Sequence, residues 1–308
     1  MSEEIIKRKF PQFKSGFAEV NNVKLHYVKA GSDDGKLIIF LHGFPQFWYM
    51  WRDQLLEFSK DYLAVAPDMR GYNLSSKPED IEQYQTEHLV EDIRALVEEH
   101  FERKKFILVG HDWGGVVAWP FASLHPELVE KLIIINAPHP NTFGKLISTN
   151  KEQQSSSQYI LFFRSKNKNG YIAEGALSAN DYKALFDIIV NSDMEFDDDD
   201  HQIYKNAWSE PGALTGGLNY YRAGGLPPPE KGEEITGLAD GQSTANLLMI
   251  NVPTLVIWGE KDTALTIHNL KGLDEFVPDL TIKRIPEGTH WVINEVPDKV
   301  NSMIRDFL

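Results

Sequence analysis

The sequence predicts an α/β protein: a mostly parallel sheet flanked by helices, with a mainly helical segment inserted into it. Three observations lead there. Between Gly16 and Ala137, short apolar runs alternate with longer amphipathic stretches, the pattern of strands joined by crossover helices. After Pro138-His139-Pro140 that rhythm gives way to polar sequence rich in Ser, Asp and Gly, with scattered helical patterns. At Pro253-Thr254-Leu255 it resumes and runs to the C-terminus. Residues 1–139 and 246–308 are therefore expected to form one core domain and residues 140–245 an inserted cap.

The opening strands are expected at 17–20 and 23–29. Residues 37–41 (LIIFL) and 62–66 (YLAVA) are apolar throughout and bounded by Gly or Pro, as strands buried on both faces must be. Leu89, Ile93, Leu96 and Val97 recur at helical spacing, which predicts a helix over 87–100. Further buried strands are expected at 105–109, 132–135 and 253–258, and another strand at 280–285, before a final helix ending near Leu308. Within the inserted segment, the acidic run Glu195 to Asp200 lacks the glycine and the spaced carboxylates of a calcium loop. It is expected to be a solvated acidic loop.

Bulk properties narrow the function classes. The chain has 308 residues, 42% of them hydrophobic and 25% charged, and contains no apolar run long enough to cross a bilayer. A soluble globular protein with no membrane span is expected. A formal net charge of -14 argues against a nucleic-acid partner, since a phosphate-binding surface needs clustered Lys and Arg. The absence of cysteine excludes disulfides, a thiolate nucleophile and thiolate metal sites. The start, Met1-Ser2-Glu3-Glu4, does not read as a secretory signal, so the cytoplasm is the expected location. Composition leaves the oligomeric state open.

The chemistry concentrates at Gly110-His111-Asp112-Trp113-Gly114-Gly115, which follows an apolar strand and opens a helical stretch, the context of a nucleophile elbow. Taken alone, Asp112 could equally be a helix cap. As a nucleophile, its identity selects the reaction. Serine attacking a saturated carbon would leave a stable ether, whereas a carboxylate leaves an alkyl ester that water can cleave. His42-Gly43-Phe44-Pro45 follows the strand ending at Leu41, where this arrangement supplies one N–H of an oxyanion hole; the other comes from the residue after the nucleophile. Phe44 and Trp113 occupy those positions. Asp262 lies just past the strand ending at Trp258, and His290 lies beyond the next strand. Nucleophile, acid and histidine thus appear in the chain order of an α/β-hydrolase triad.

With these residues in order, the chain resembles the soluble epoxide hydrolases and, more distantly, the haloalkane dehalogenases of the α/β-hydrolase superfamily. The resemblance covers nearly the whole chain. It is carried by residues 42–52 (HGFPQFWYMWR), 67–78 (PDMRGYNLSSKP), the elbow, and Leu218-Asn219-Tyr220-Tyr221-Arg222. It implies the α/β-hydrolase fold, a small apolar epoxide and water as reactants, and no cofactor or metal. It also implies two cap tyrosines that hold the oxirane oxygen. Tyr221 matches one by its Asn-x-Tyr-Arg context and Tyr159 the other, although an interfacial tyrosine with a wet hydroxyl is the commoner role of either. Phe44, Trp113, Trp208 and Trp291 are expected to line the substrate pocket.

The chain departs from the family pattern at three places. Asn73-Leu74 stands where Gly-Asp is common, Pro120 falls inside the elbow helix, and Asn136 occupies a position where some dehalogenases carry their triad acid. The competing reading is a haloalkane dehalogenase with Trp113 and Trp208 as halide donors. A fluoroacetate dehalogenase ranks below it, because Trp113 cannot bind a carboxylate. A cofactor-free oxygenase or a non-hydrolytic binding protein on the same fold is the alternative from a different class.

Overall fold

The computed structural model describes residues 2–190, 196–224, 227–230 and 247–308. A helix that the sequence reading did not anticipate, α1 (Ser2–Lys9), precedes the sheet. The strands β1 (Lys14–Val20), β2 (Val23–Ala30), β3 (Lys36–Leu41), β4 (Tyr62–Pro67), β5 (Phe106–His111) and β6 (Val129–Ile135) alternate with α2 (Arg52–Phe58), α3 (Thr86–Ala95) and α4 (Trp113–Leu124). The insertion follows with α5 (Pro140–Thr149), α6 (Lys151–Ser156), α7 (Tyr159–Arg164), the short hairpin β7 (Lys166–Asn167) and β8 (Gly170–Tyr171), α8 (Ala173–Ile189), α9 (Asp198–Ser209) and α10 (Ala213–Ala223). The chain returns to the sheet with β9 (Thr254–Gly259) and β10 (Leu280–Ile285), and closes with α11 (Val292–Glu295) and α12 (Pro297–Phe307). The expected boundary at 245/246 lies outside the described residues, as does Glu195.

The large sheet has eight strands in the order β1-β2-β4-β3-β5-β6-β9-β10. Only the pairs β1–β2 and β2–β4 are antiparallel; every other pair is parallel. This is the α/β-hydrolase fold. Residues 37–41, 106–109, 132–135 and 255–257 are at most 1% exposed, because helices cover both faces of the central strands. Strand β10 closes one edge with exposed Lys283 and Arg284, charges that discourage pairing with a further strand.

Several expectations meet physical detail. The helix expected over 87–100 widens to a π-helical turn at Leu96–His100, where Phe101 N–H reaches Leu96 O at 3.0 Å. α4 runs through Pro120, which is buried within it. Asn73 takes a left-handed conformation, φ 41°, of the kind Asn tolerates in place of glycine, and its amide donates to Asp68 Oδ2 at 2.7 Å.

The acidic run is not a solvated loop. Asp197 caps α9 and forms a capping box with Asp200: each side chain accepts from the other's backbone N–H, at 2.8 and 3.1 Å. Asp200 is buried, takes the Tyr49 hydroxyl at 2.6 Å and pairs with Lys9 Nζ at 3.1 Å. Arg8 pairs with Asp199 and Lys9 with Asp197. Acidic side chains are favoured at the positive end of a helix, and basic residues from α1 meet them there.

Arg70 and Asp92 form a buried two-pronged ion pair, Nε to Oδ2 at 2.8 Å and Nη2 to Oδ1 at 2.6 Å. The pair fixes the loop after β4 onto α3, and Tyr220 of α10 donates to the backbone carbonyl of Arg70 at 2.8 Å. Asp92→Ala would leave the guanidinium buried and unpaired. We expect a loss of about 3–5 kcal/mol of stability in urea denaturation, the usual cost of breaking a buried pair from one side.

Candidate active site

The site is built on the turn between β5 and α4. Asp112 sits at that turn with φ 51° and ψ -124°, a strained conformation for a residue with a side chain. The turn can close because the residues around it are small. A Cβ on Gly114 would lie 2.1 Å from the carbonyl oxygen of Leu41, and one on Gly43 would lie 2.0 Å from Asp112 Oδ1.

The two carboxylate oxygens of Asp112 have different surroundings. Oδ1 accepts the Phe44 N–H at 2.8 Å, and the Trp113 N–H also bonds to the carboxylate. Oδ2 faces His290 Nε2 at 3.6 Å. On its far side, His290 Nδ1 meets Asp262 Oδ2 at 2.7 Å. Asp262 is itself held: Oδ1 accepts the amides of Ala264 and Leu265 at 2.9 and 2.8 Å, and Oδ2 accepts Asn136 Nδ2 at 2.8 Å. The structure thus brings Asp112, His290, Asp262, Phe44 and Trp113 together.

Two supporting residues escaped the sequence reading. Asn136 was weighed only as a missing acid, yet its Oδ1 accepts the Gly259 N–H at 2.9 Å while its amide orients Asp262, linking the ends of β6 and β9. His111 Nε2 meets the carbonyl oxygen of His290 at 2.8 Å, and its ring lies 4.6 Å from the His290 ring. A donor to that carbonyl must be the Nε2–H tautomer. Burial holds the His111 pKa well below the ordinary value, so this imidazole stays neutral.

Tyr159 opens α7 and Tyr221 lies on α10, with ring centroids 5.9 Å apart and the side chains hydrogen-bonded to each other. Tyr221 stands edge-on to Phe44 at 5.6 Å and to Trp113 at 5.1 Å. Burial and the Asp112 charge raise both phenols above their ordinary pKa, which keeps them protonated as donors. Trp291 packs edge-on against His290 at 4.7 Å and sends its N–H to Ile188 O. Trp208 borders a small cleft with Phe44 and Tyr72, but α9 turns its N–H onto Pro45 O at 2.7 Å, so that N–H is not aimed at Asp112.

Burial raises the pKa of Asp112; His290 and the amides of Trp113 and Phe44 oppose that rise without cancelling it. For His290, burial lowers the pKa, but Asp262 and then Asp112 outweigh it and the net shift is upward. The arrangement can present a carboxylate oxygen to an electrophile, stabilise charge on the other oxygen, and take a proton from water at His290 Nε2. Among the described residues, no group of His, Asp and Glu side chains is arranged to hold a metal ion.

Comparison with known proteins identifies the family of the chain. The α/β-hydrolase fold family matches residues 36–295. The chain is 39% identical to an AB hydrolase superfamily protein, YfhM, of Bacillus subtilis, over 96% of this chain and 98% of that one. It is 38% identical to epoxide hydrolase 1 of Caenorhabditis elegans, over 96% of this chain and 70% of that one. Among solved structures, an epoxide hydrolase of Bacillus megaterium in complex with an inhibitor superposes with a TM-score of 0.81 at 35% identity, covering 95% of this chain and 99% of that one.

Asp112 contributes to the raised pKa of His290, so removing its charge should lower it. In Asp112→Ala, the imidazole of His290 is expected to titrate at a lower pH than in the wild type, followed by NMR of the ring nitrogens. An unchanged or higher titration point would show that the two groups are not coupled.

Proposed function

Because the chain belongs to the α/β-hydrolase family, among its epoxide hydrolases, we propose that it opens small apolar epoxides to vicinal diols through an ester on Asp112. The observation that carries this reading is the division of labour within one carboxylate. Oδ1 is held by the amide of Phe44, and Oδ2 faces His290. An aspartate in this position forms an alkyl ester, which suits a substrate with an electrophilic saturated carbon.

In the first step Oδ2 attacks an oxirane carbon, the ring C–O bond breaks, and Tyr159 and Tyr221 donate hydrogen bonds and a proton to the departing oxygen. In the second, His290 Nε2 takes a proton from water as the water oxygen attacks the ester carbonyl. Charge gathers on Oδ1 between the amides of Phe44 and Trp113. Collapse releases the diol and restores the carboxylate, and the proton taken by His290 replaces the one given by the tyrosines. Asp262 keeps the imidazole in the required tautomer. Residues 140–245 act as a cap in this scheme, covering the core formed by 1–139 and 246–308, with Trp113, Phe44 and Trp291 as apolar walls.

The dehalogenase reading requires a second N–H beside Trp113, and Trp208 donates to Pro45 O instead. Nothing in the site favours a binding protein or an oxygenase over hydrolysis.

His290→Gln should still be alkylated but should not turn over. Intact-protein mass spectrometry after incubation with an epoxide should show the added mass of one substrate, and an unmodified mass would count against the ester. Tyr221→Phe should slow epoxide opening by about 10² to 10⁴, the range for losing a general acid, and the Tyr159→Phe/Tyr221→Phe pair should lose nearly all of it. Diol formation at the wild-type rate in the double variant would remove the tyrosines from the mechanism.

A further inference from the structure

The two tyrosines come from separate helices, and one of those helices cannot hold its own place. α7 has six residues, too few to be stable alone, so something outside it must fix Tyr159 relative to Tyr221. The last residue of α7, Arg164, sends Nη1 across to the carbonyls of Tyr221 and Gly224 at 3.0 and 3.1 Å. The residue after Tyr221, Arg222, sends Nε back to the carbonyl of Phe163 at 3.2 Å. Each arginine therefore leaves one helix and bonds carbonyls at the C-terminal end of the other, where carbonyls lack helical partners and a positive charge is favoured.

Arg222 is anchored in turn. Its Nη1 pairs with Glu174 at 2.7 Å and bonds Asn219 Oδ1 at 3.1 Å, and its guanidinium lies 3.6 Å from the Tyr171 ring centroid. Its side chain is 2% exposed. Burying a guanidinium is costly, and an apolar side chain of similar size would fill the space at less cost, so packing alone does not account for it.

We propose that Arg164 and Arg222 form a reciprocal clamp that sets the distance between the Tyr159 and Tyr221 hydroxyls, making both arginines positioning residues for epoxide opening. The inference rests on the reading of those tyrosines as donors to the oxirane oxygen. The clamp bonds the backbone of Tyr221 directly and reaches Tyr159 through the carbonyl of Phe163, one helical turn away. In the proposed scheme the tyrosines act only in the first step, so loss of the clamp should affect that step alone.

The experiment is rapid-quench single-turnover kinetics on the full chain, which separates ester formation from ester hydrolysis. Arg164→Met should slow ester formation by about 10- to 100-fold, the scale expected for misplacing a catalytic group by an ångström, and leave the hydrolysis rate within about twofold of wild type. Arg164→Lys should restore little, because a single ammonium cannot reproduce the guanidinium's planar set of donors. Combined with Tyr159→Phe/Tyr221→Phe, Arg164→Met should add no further loss. Arg222→Met is expected to behave in the same way; if it fails to fold, the Arg164 variants decide the question. Wild-type ester formation in Arg164→Met, equal slowing of both steps, or losses that add to those of the tyrosine variants would each overturn the clamp. Wild-type ester formation in the tyrosine double variant by itself would instead overturn the reading on which the clamp rests.

Discussion

The site depends on one strained turn, the positive-φ backbone at Asp112. It forces the carboxylate out of the line of β5 and α4 and up against the loop after β3, where the Phe44 N–H donates to Oδ1 at 2.8 Å. The close approach of Gly114 to Leu41 and of Gly43 to the carboxylate leaves no room for side chains at either place. Strain of this kind persists only when its surroundings over-determine it. Here they do, because β3 and β5 are neighbours in the centre of a sheet covered on both faces.

From that turn a line of charge runs inward. Asp112, His290 and Asp262 alternate in sign when the imidazole is protonated, and burial makes each charge depend on its neighbours. Asp262 accepts two backbone amides on Oδ1 and the Asn136 amide on Oδ2. Asp112 has fewer, and burial raises its pKa. An ester on Asp112 would remove one of the charges that raise the pKa of His290. The imidazole would then be more readily neutral, the form needed to take a proton from water.

The insertion is fastened to the sheet at several points around this line. Trp208 and Tyr204 of α9 bond Pro45 O and Gln46 Oε1, each at 2.7 Å, and Tyr220 of α10 bonds Arg70 O at 2.8 Å. On the outer side α1 joins in through Lys9, which reaches Asp197 and Asp200 at the start of α9. The loop that provides the Phe44 amide is therefore held from below by β3 and from above by α9, which suits an oxyanion site that must not move during reaction.

The sequence by itself determined the sheet strands, the elbow and the order of the three proposed triad residues. These depend on neighbours within a few positions: apolar runs mark buried strands, and Gly-x-Asp-x-Gly between a strand and a helix marks a tight turn. Tertiary structure alone decided the rest. Asn136 supports Asp262 across 126 positions of sequence, and Trp208 gives its N–H to Pro45 across 163. The acidic run became a helix start because Lys9 and Tyr49, both remote in sequence, arrive to meet Asp200. The same holds for Arg164 and Arg222. A side chain's spacing along the chain fixes which face of its own element it occupies, but its hydrogen-bond partner depends on which distant carbonyl or carboxylate packing carries within about 3 Å of it.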